Sequence, residues 1–392
     1  MTEDRGNRTA APGGSGAPNQ GRRPPKEEQL DASDEVTEPA PGVLRMQLPI
    51  HFTGLGHVNM YGLVDDDGIA VVDPGMPGRR SARAVVAALR RAGYRPRDVH
   101  TIVVTHSHPD HFGGAAHLAR ATGAEVVTHA TFRAPGQPPS TPDVASLDDD
   151  LSPVTGPDGD DPDAPEMVVR DPWTLQVPWR APGDAVPPPE LPRSLPRPLQ
   201  GLARRLGRRY LQAPRTTRPL TDGAPIRLAG RDWFAVHTPG HTADHLCLHD
   251  PENRLLLAGD HVLPTITPHI SGLGCGRDPL RQYLAALQAV ARLDVDLALP
   301  AHGNPFTGLA ERTRQIGEHH DRRLERLREI SAAEGPSTVE AFSRALFPPA
   351  QWGLMAESEV FAHLEHLRLD GSARAWRHDG ALVYDLCDPG PS

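Results

Sequence analysis

Three imidazoles and one carboxylate within six residues constrain this chain more than any other feature of its sequence. They belong to the segment Thr105-His106-Ser107-His108-Pro109-Asp110-His111. The β-branched apolar run before it and the Gly113-Gly114 step after it predict a buried strand, a tight loop and a helix start. Imidazole and carboxylate without thiolate are ligands for zinc, iron or manganese. A loop leaving a strand end can direct His106 and His108 to one metal ion, and Asp110 and His111 to a second.

Three further candidate ligands each follow an apolar strand and stand next to a glycine: His241, Asp260 and His302. Glycine lets the chain place such a side chain at the edge of a sheet with little steric cost. If these strand ends meet, the sequence supplies seven metal ligands in all. The alternative, a histidine-rich surface loop, does not account for matching ligands at the ends of later strands.

The order of patterns along the chain predicts its organisation. Residues 1–40 have almost no large apolar side chains, which predicts a disordered tail. Residues 41–334 carry hairpin patterns first and strand–helix alternation later, including a helix over 81–92 with Ser81 as its N-cap, which indicates sheet covered by helices. At about residues 135–221, Pro, Asp and Gly dominate. This stretch is too long for a connection and is predicted to be a partly unstructured insertion.

Two features are candidates for substrate binding. Segment 199–211 of the insertion has leucines on one helical face, and as a lid it could cover the active-site mouth and meet an anionic substrate. The arginines around those leucines are Arg204, Arg205, Arg208 and Arg209. The alternative is a solvated helix attached by its leucines. His269 follows the strand of Asp260 and is predicted to line the substrate pocket, whereas His319 and His320 on a charged helix are predicted to be solvated.

Residues 335–392 are predicted to form a small winged-helix-like domain. Two helix patterns, over 338–347 and 357–369, precede a hairpin that turns at 378–380. A winged helix alone suggests DNA binding. However, Glu357, Glu359, Glu365 and Asp370 accompany the second helix against Arg368, and an acidic recognition helix repels phosphate. The sequence therefore favours a role in packing, in a homodimer contact or as a pocket wall.

The charge balance and the cysteine pattern exclude other classes of function. A net charge of −9 and a pI near 6.1 leave no global basic field for nucleic acid. The first residues lack the apolar core of a signal peptide, and no run of about 18 apolar residues predicts a membrane span. Cys247, Cys275 and Cys387 lack CxxC spacing, which is typical of reduced thiols. We expect a cytoplasmic protein that binds neither membranes nor nucleic acid.

The ordered motifs of the chain resemble those of the metallo-β-lactamase superfamily. They are His106-x-His108-x-Asp110-His111, Pro239-Gly240-His241-Thr242, Gly259-Asp260 and His302-Gly303, with Asp73 matching an upstream motif. The resemblance covers about residues 43–305 outside the insertion and implies an α/β fold, an αββα sandwich of two mixed sheets flanked by helices. The C-terminal outline resembles the small domain of one branch of the superfamily, which includes some ribonucleases and acyl-carrier thioesterases.

The resemblance also implies roles for individual residues. One metal ion would be bound by His106, His108 and His241. The second would be bound by Asp110, His111 and His302, and Asp260 would bridge the two. Asp73 would support the metal loops without binding metal, and Asp110 would also act in catalysis by orienting the attacking hydroxide. Zinc is the expected metal, with iron and manganese as alternatives.

The implied activity is that of a metal-dependent hydrolase that uses a hydroxide bridging two metal ions. Many β-lactamases of the superfamily have Cys where Asp260 stands, which disfavours a β-lactam substrate. A thiolate leaves without a protonating residue, and arginines near the mouth suit the phosphates of coenzyme A or phosphopantetheine. We therefore expect a thioester or small ester substrate of the acyl-CoA or acyl-carrier type. The alternatives are a lactonase, an endoribonuclease and a non-catalytic nucleic-acid-binding regulator.

Overall fold

Two β-sheets packed face to face between layers of helices form the main part of the structure. The computed structural model describes residues 25–52, 54–134, 177–181 and 212–386. One apolar cluster, which includes Leu63, Val103, Trp233 and Leu257, fills the space between the sheets. Successive side chains of a strand point to opposite faces, so each inner strand contributes alternate residues to this cluster.

The first sheet has seven strands, hydrogen-bonded in the order in which they follow along the chain. They are β1 (Val36–Ala40), β2 (Val43–Phe52), β3 (Leu55–Asp65), β4 (Gly68–Val72), β5 (Val99–Val103), β6 (Glu125–His129) and β7 (Arg218–Leu220). The pairs from β1 to β4 are antiparallel, and those from β4 to β7 are parallel. Parallel strands place their carboxyl ends at one edge of the sheet, and the histidine-rich loop follows β5 at that edge.

Three helices follow strands of the first sheet: α1 (Arg79–Arg91), α2 (Pro109–Phe112) and α3 (Ala115–Thr122). Val85 and Leu89 of α1 and Leu118 of α3 pack with Val71 and Ile102 of the sheet in a second apolar cluster. The apolar residues of α1 recur at helical spacing on one side, which is why this helix packs flat on the sheet.

The second sheet has five strands in the order β12-β11-β10-β9-β8. They are β8 (Pro225–Leu228), β9 (Arg231–His237), β10 (Leu246–Asp250), β11 (Leu255–Gly259) and β12 (Leu297–Pro300). Neighbours are antiparallel except β11 and β12. Its outer face packs against α4 (Pro279–Val290) and α5 (Leu309–Glu334). Asp278 caps α4 by accepting a 2.9 Å hydrogen bond from the Arg281 N–H. The layers confirm the expected αββα sandwich.

Three predicted boundaries are wrong. The predicted tail, 1–40, contains a 3-10 turn at Glu27–Gln29 and strand β1, and β7 lies inside the predicted insertion. Both strands are edges of the first sheet, where Pro39 and Pro219 are tolerated and little apolar pattern is needed. Ser81 is not the N-cap, because α1 already begins at Arg79 after Gly78, and Ser81 is buried in the first helical turn.

The C-terminal part contains α6 (Val339–Leu346), α7 (Leu354–Leu369) and a three-stranded sheet of β13 (Ser337–Thr338), β14 (Arg374–His378) and β15 (Ala381–Asp385). These elements come in the predicted order, and the winged-helix assignment itself stays a prediction. The predicted acidic surface of α7 is wrong, because Glu357 and Glu365 are buried. Glu357 accepts a 2.8 Å bond from Arg180 Nη2, and Glu365 pairs with Arg368 at 2.9 Å. These carboxylates stabilise the interior and do not repel a partner.

A short piece of the predicted insertion packs on the C-terminal part. Val177 and Trp179 are buried in an apolar cluster with Phe342 and Phe361. The N–H of Leu382 donates to the carbonyl of Trp179 at 3.2 Å. The predicted helix at 199–211 lies outside the described residues. Within the described ranges, no helix has the length and apolar character that a membrane span needs.

Candidate metal centre

All seven candidate ligands lie at one end of the sandwich, where the loops after β5, β9, β11 and β12 meet. Two glycines permit this close approach. Gly259 has φ of 51°, and a Cβ there would lie 2.6 Å from His245 Nε2. Gly240 has φ of 133°, and a Cβ there would lie 2.4 Å from the Cβ of Tyr283. A larger residue at either position would displace the neighbouring Asp260 or His241.

The ligand atoms fall into two compact groups, and within each group all of them lie within 4.8 Å of one another. The first group consists of His106, His108, His241 and Asp260. The second consists of Asp110, His111 and His302. The structure thus brings together the two sets of residues that the resemblance implies, although they come from loops up to 196 residues apart (106 to 302).

Asp260 stands between the two groups. Its Oδ2 atom lies 3.5 Å from His241 Nε2 in the first group and 3.5 Å from His111 Nε2 in the second. Its Oδ1 atom lies 3.5 Å from His302 Nε2. These separations exceed a hydrogen-bond length, and they are of the size expected when a cation lies between the two donor atoms. One carboxylate therefore faces both groups.

The outward nitrogens of three histidines are held by oxygen acceptors. His111 Nδ1 lies 2.9 Å from Asp73 Oδ2, His241 Nδ1 lies 2.6 Å from the carbonyl of His269, and His302 Nδ1 lies 2.9 Å from the carbonyl of His57. Because these oxygens accept, each Nδ1 carries the proton and each Nε2 directs a lone pair inward.

The inward atoms lack partners within the described structure. Nε2 of His111, His241 and His302 and Oδ1 of Asp260 are buried without a hydrogen bond. Buried polar atoms normally have a hydrogen-bond partner. Four such atoms that face one another without a partner therefore indicate a binding site for an ion. A divalent metal ion fits this donor set of imidazole nitrogen and carboxylate oxygen.

Asp73 and Thr105 orient the start of the histidine loop. Asp73 accepts from the Thr105 N–H at 2.8 Å and from its hydroxyl at 2.7 Å. The Thr105 oxygen is in turn 3.0 Å from His106 Nδ1, so it accepts there and His106 Nε2 is left facing inward. His108 differs, because its Nδ1 is the atom that lies 3.0 Å from His106 Nε2. Asp73 itself has a left-handed φ of 55°, a strained conformation often found at functional sites.

The charges in this site are unbalanced without cations. Asp73, Asp110 and Asp260 are all buried, and each has a carboxylate oxygen within 3.5 Å of a ring nitrogen of His111. Burial raises the pKa of Asp110, but the nearby rings of His111 and His302 outweigh it and lower the pKa to about 2. Burial lowers the pKa of His108 to about 3, with His241 adding to the effect. Burial lowers the pKa of His111 and His302, but the neighbouring carboxylates outweigh it and raise both pKa values. Metal binds to ionised carboxylates and neutral imidazoles, so a cation would displace protons from these two rings.

A further histidine supports Asp260 without joining either group. His245 Nε2 accepts from the Asp260 N–H at 3.0 Å, and its Nδ1 lies 2.7 Å from the Thr238 hydroxyl. From the sequence, His245 lies near the motifs and is expected to pack or to support a ligand and not to bind metal itself. Sequence reasoning missed His57, whose carbonyl accepts from His302. The sequence signal for its position was the pair of polar residues His57 and Asn59 in an otherwise apolar strand. Buried polar residues need hydrogen-bond partners, so this pair indicated that the strand contacts another polar part of the chain.

Of the five predicted substrate-binding residues, His269 lies near the site, and the four arginines lie outside the described residues. His269 lies on the loop between β11 and α4, with its carbonyl on His241 and its ring Nδ1 3.4 Å from Glu359 Oε2. The same loop is covered by α7, because the Gly272 N–H donates to the Ser358 carbonyl at 3.1 Å. The arginines of the predicted lid lie outside the described residues: Arg204, Arg205, Arg208 and Arg209.

The remaining histidines and the cysteines belong to neither group. The prediction that His320 is solvated is wrong, because it is buried with its Nδ1 3.1 Å from His363 Nε2. The cause is that its face of α5 packs against α4 and α7. Cys247 and Cys275 are free and buried, as expected of reduced thiols, and Cys387 lies outside the described residues.

Comparison with known protein families identifies the same core. The model of the metallo-beta-lactamase superfamily matches residues 53–302. The probable metallo-hydrolase YqjP of Bacillus subtilis is 24% identical over 356 residues, which cover 87% of this chain and 97% of that protein.

Two fungal relatives match shorter regions. The lactamase-like protein aptB of Emericella nidulans is 33% identical over 28% of this chain and 33% of its own length. The atrochrysone carboxyl ACP thioesterase AgnL7 of Paecilomyces divaricatus is 35% identical over 22% of this chain and 25% of its own length. The chain thus spans about a third or less of these fungal proteins.

Two solved structures extend the similarity to almost the whole fold. A metallo-beta-lactamase family protein of Thermus thermophilus, TTHA1429, is 25% identical with a TM-score of 0.64 and covers 88% of this chain and 99% of its own. A beta-lactamase domain protein of Burkholderia ambifaria is 25% identical with a TM-score of 0.65 and covers 91% and 96%. By its sequence motifs, its sandwich and these matches, the chain belongs to the metallo-beta-lactamase superfamily.

Proposed function

We propose that this protein is a hydrolase that cleaves thioesters or related small esters whose acyl group is carried by coenzyme A or by an acyl carrier protein. The observation that supports its metal dependence most strongly is Asp260, whose two oxygens face both ligand groups at 3.5 Å. A site with one metal would not need a carboxylate in that position. We therefore propose two divalent ions per chain, with zinc first and iron or manganese as alternatives.

Each group of ligands would hold one ion, and Asp260 would contact both. Two such ions supply Lewis acidity, which lowers the pKa of water and polarises the carbonyl of an ester. The ligands proposed for the first ion are His106, His108, His241 and Asp260. Those proposed for the second ion are Asp110, His111, His302 and Asp260.

Asp110 is the proposed catalytic carboxylate. Its pKa of about 2 keeps it ionised at neutral pH, so it accepts a hydrogen bond and does not donate one. An ionised carboxylate at this position can orient the attacking hydroxide by accepting a hydrogen bond from it. The Nε2 atoms of His302 and His111 both lie 3.5 Å from Asp110 Oδ2, a separation that suits three ligands of one ion.

Chemistry and similarity both support a thioester. A thiolate is a good leaving group and needs no acid, and Asp260 stands where many β-lactamases have Cys. The match to AgnL7, a carboxyl ACP thioesterase by name, covers 86 residues and favours an acyl-carrier substrate. Four arginines of the insertion would meet the phosphates of coenzyme A or phosphopantetheine: Arg204, Arg205, Arg208 and Arg209.

His269 is proposed to line the acyl pocket. Its side chain is 21% exposed beside the ligand His241, and Glu359 holds its Nδ1, so the ring has one defined orientation. Because Glu359 belongs to α7, the C-terminal part would form one wall of the pocket. This role replaces the packing or homodimer roles that the sequence left open, and it involves no nucleic acid.

A substrate panel at equal metal loading tests the proposal. Acyl-CoA thioesters, an acyl-carrier thioester, homoserine lactones, a chromogenic cephalosporin and short RNAs would be compared with the zinc-loaded protein. We expect thioesters to have the highest kcat/KM and His108→Ala to lower it on the order of 100-fold or more. If His108→Ala protein hydrolyses thioesters as well as the parent while lactone or RNA cleavage is lost, the thioester assignment is wrong.

A further inference from the structure

The outer face of α1 is a strongly basic surface on an acidic protein. Residues 74–97 contain seven arginines and no Asp or Glu, whereas the whole chain has a net charge of −9. Five of these arginines belong to α1 and two follow it: Arg79, Arg80, Arg83, Arg90, Arg91, Arg95 and Arg97. All seven are exposed. We call the five on α1 the α1 arginine face.

Helical geometry places these five side chains together. At 3.6 residues per turn, they fall within about one third of the helix circumference. The buried residues of α1 lie on the opposite side: Ser81, Val85, Ala88 and Leu89. The arginines are therefore not needed to hold the helix on the sheet, and the alanines between them leave their guanidinium groups accessible.

Most of the face is not neutralised by neighbours. Arg91 pairs with Asp34 at 2.9 Å. By contrast, Arg79, Arg80, Arg83 and Arg90 make no ion pair or side-chain hydrogen bond with any described residue. The arginines of α5 show the usual alternative, because Arg314, Arg322, Arg326 and Arg328 each pair with a glutamate of the same helix. A solvated surface helix normally balances its charges as α5 does.

The α1 arginine face begins beside the candidate metal centre. Asp73, which accepts from His111, is followed by a loop that packs on the ligand segment. The Gly114 N–H donates to the Gly75 carbonyl at 2.9 Å, and a Cβ at Gly113 would lie 2.2 Å from Pro77 N. Helix α1 starts two residues after Pro77. A partner bound to the first turns of α1 would therefore lie at the rim of the active-site end.

We propose that the α1 arginine face docks an acidic acyl carrier protein and so presents its thioester arm to the metal centre. This inference rests on the proposed thioesterase function. Carrier proteins are small and acidic, and an acidic helix is complementary to a row of unpaired arginines. The face has no exposed aromatic residue on which bases could stack and no apolar residue that could enter a membrane, which disfavours RNA and lipid.

The test compares two triple charge reversals. The docking variant is Arg79→Glu, Arg80→Glu and Arg83→Glu. The control is Arg314→Glu, Arg322→Glu and Arg326→Glu, which changes the net charge equally on the opposite layer of the sandwich. Binding of a free-standing holo acyl carrier protein is measured by calorimetry at low and high salt. Turnover is measured with an octanoyl-carrier thioester and with octanoyl-N-acetylcysteamine, and thermal unfolding checks the fold of both variants.

We expect the docking variant to bind the carrier about tenfold more weakly or worse, because reversed charges repel the acidic partner. Its kcat/KM should fall similarly for the carrier thioester and stay unchanged for the small thioester. The control should match the parent in carrier binding and in both turnover assays, although the loss of its ion pairs within α5 should lower its thermal stability slightly. Carrier binding that is insensitive to both salt and the docking substitutions would overturn the proposal. So would binding of a short RNA that depends on the same arginines and excludes the carrier.

The two proposals fail in distinguishable ways. If the parent protein hydrolyses neither thioester but binds the carrier through α1, the thioesterase assignment is wrong and the docking face stands. If the small thioester is hydrolysed and the carrier does not bind, the docking proposal is wrong and the thioesterase assignment stands.

Discussion

At the scale of single residues, Asp73 links the start of the histidine loop at Thr105 to the candidate ligand His111. Its carboxylate accepts from the backbone and hydroxyl of Thr105 and lies 2.9 Å from His111 Nδ1. These contacts fix the tautomer of His111 and, through Thr105, that of His106. A ligand histidine binds metal well only when its other nitrogen is held in this way.

Asp73→Asn should weaken metal binding by about 10- to 100-fold. Both oxygens of Asp73 accept hydrogen bonds, one from the Thr105 N–H and one from His111 Nδ1, and the amide has only one acceptor oxygen for these two donors. Asn tolerates the left-handed backbone at this position well, so the substitution tests the hydrogen bond and not the strain. Titration with zinc against a competing chelator measures the affinity. An unchanged affinity in a protein with the parent melting temperature would show that Asp73 does not orient the ligands.

The ligand side chains were predictable from sequence, whereas their supports were only partly so. The ligands follow apolar strands in a fixed order, and strand ends converge at one edge. The carbonyls of His57 and His269 act through the backbone, so their residue types carry no signal of that role. Only Asp73, which acts through its side chain, was identified beforehand.

At the scale of elements, the N-terminal turn at 27–29 fastens itself to β2 and β3. Glu27 accepts from Arg45 Nη2 at 2.6 Å and from Gln47 Nε2 at 2.7 Å. Arg45 also donates to Asn59 Oδ1 at 2.9 Å, and Asn59 in turn donates to the Gly303 carbonyl at 2.7 Å, next to His302. The turn thus supports the strand and loop that position His302.

Glu27→Gln should lower the free energy of unfolding of the metal-free protein at pH 7 by about 2 kcal/mol, after allowance for partial exposure. Burial raises the pKa of Glu27, but the His57 and Arg45 interactions outweigh it and lower the pKa from 4.5 to about 2. The stabilisation is therefore complete above pH 4.5 and is lost as the pH falls toward 2. Denaturant unfolding across this range should show the parent and variant converging.

Glu35→Gln is the matched control, because Glu35 is exposed and forms no ion pair with a described residue. Its effect should stay within about 0.5 kcal/mol at every pH. A Glu27→Gln difference that is constant from pH 7 to acid, or equal to that of the control, would contradict the assigned pKa and the supporting role of the turn.

Central elements were predicted more accurately than edges. Strands β3, β4 and β5 are paired on both sides and largely buried, so their sequences are mostly apolar. Strands β1 and β7 pair on one side and contain Pro39 and Pro219, which a sequence pattern assigns to loops. The 3-10 turn was missed because Arg45, Gln47 and His57, which hold it, are distant in sequence.

At the scale of the whole molecule, the metal centre joins two halves of the chain. The loop after β5 in the first sheet contributes four candidate ligands, and the loops of the second sheet contribute His241, Asp260 and His302. The alternation of strand and helix patterns predicted sheet covered by helices, and the family resemblance implied the sandwich. Neither predicted that α7 covers the loop of His269. That contact joins residues distant in sequence, such as Ser271 and Ser358, which are 87 positions apart and 2.9 Å from each other through their hydroxyls.

The most direct test of this account is the number of metal ions bound per chain. Elemental analysis after chelator treatment, zinc loading and desalting should give two zinc ions for the parent. Asp260→Ala should lower this number, because it removes the one carboxylate that faces both groups. A parent stoichiometry that stays at one, or Asp260→Ala protein with unaltered metal content, would contradict the two-metal centre.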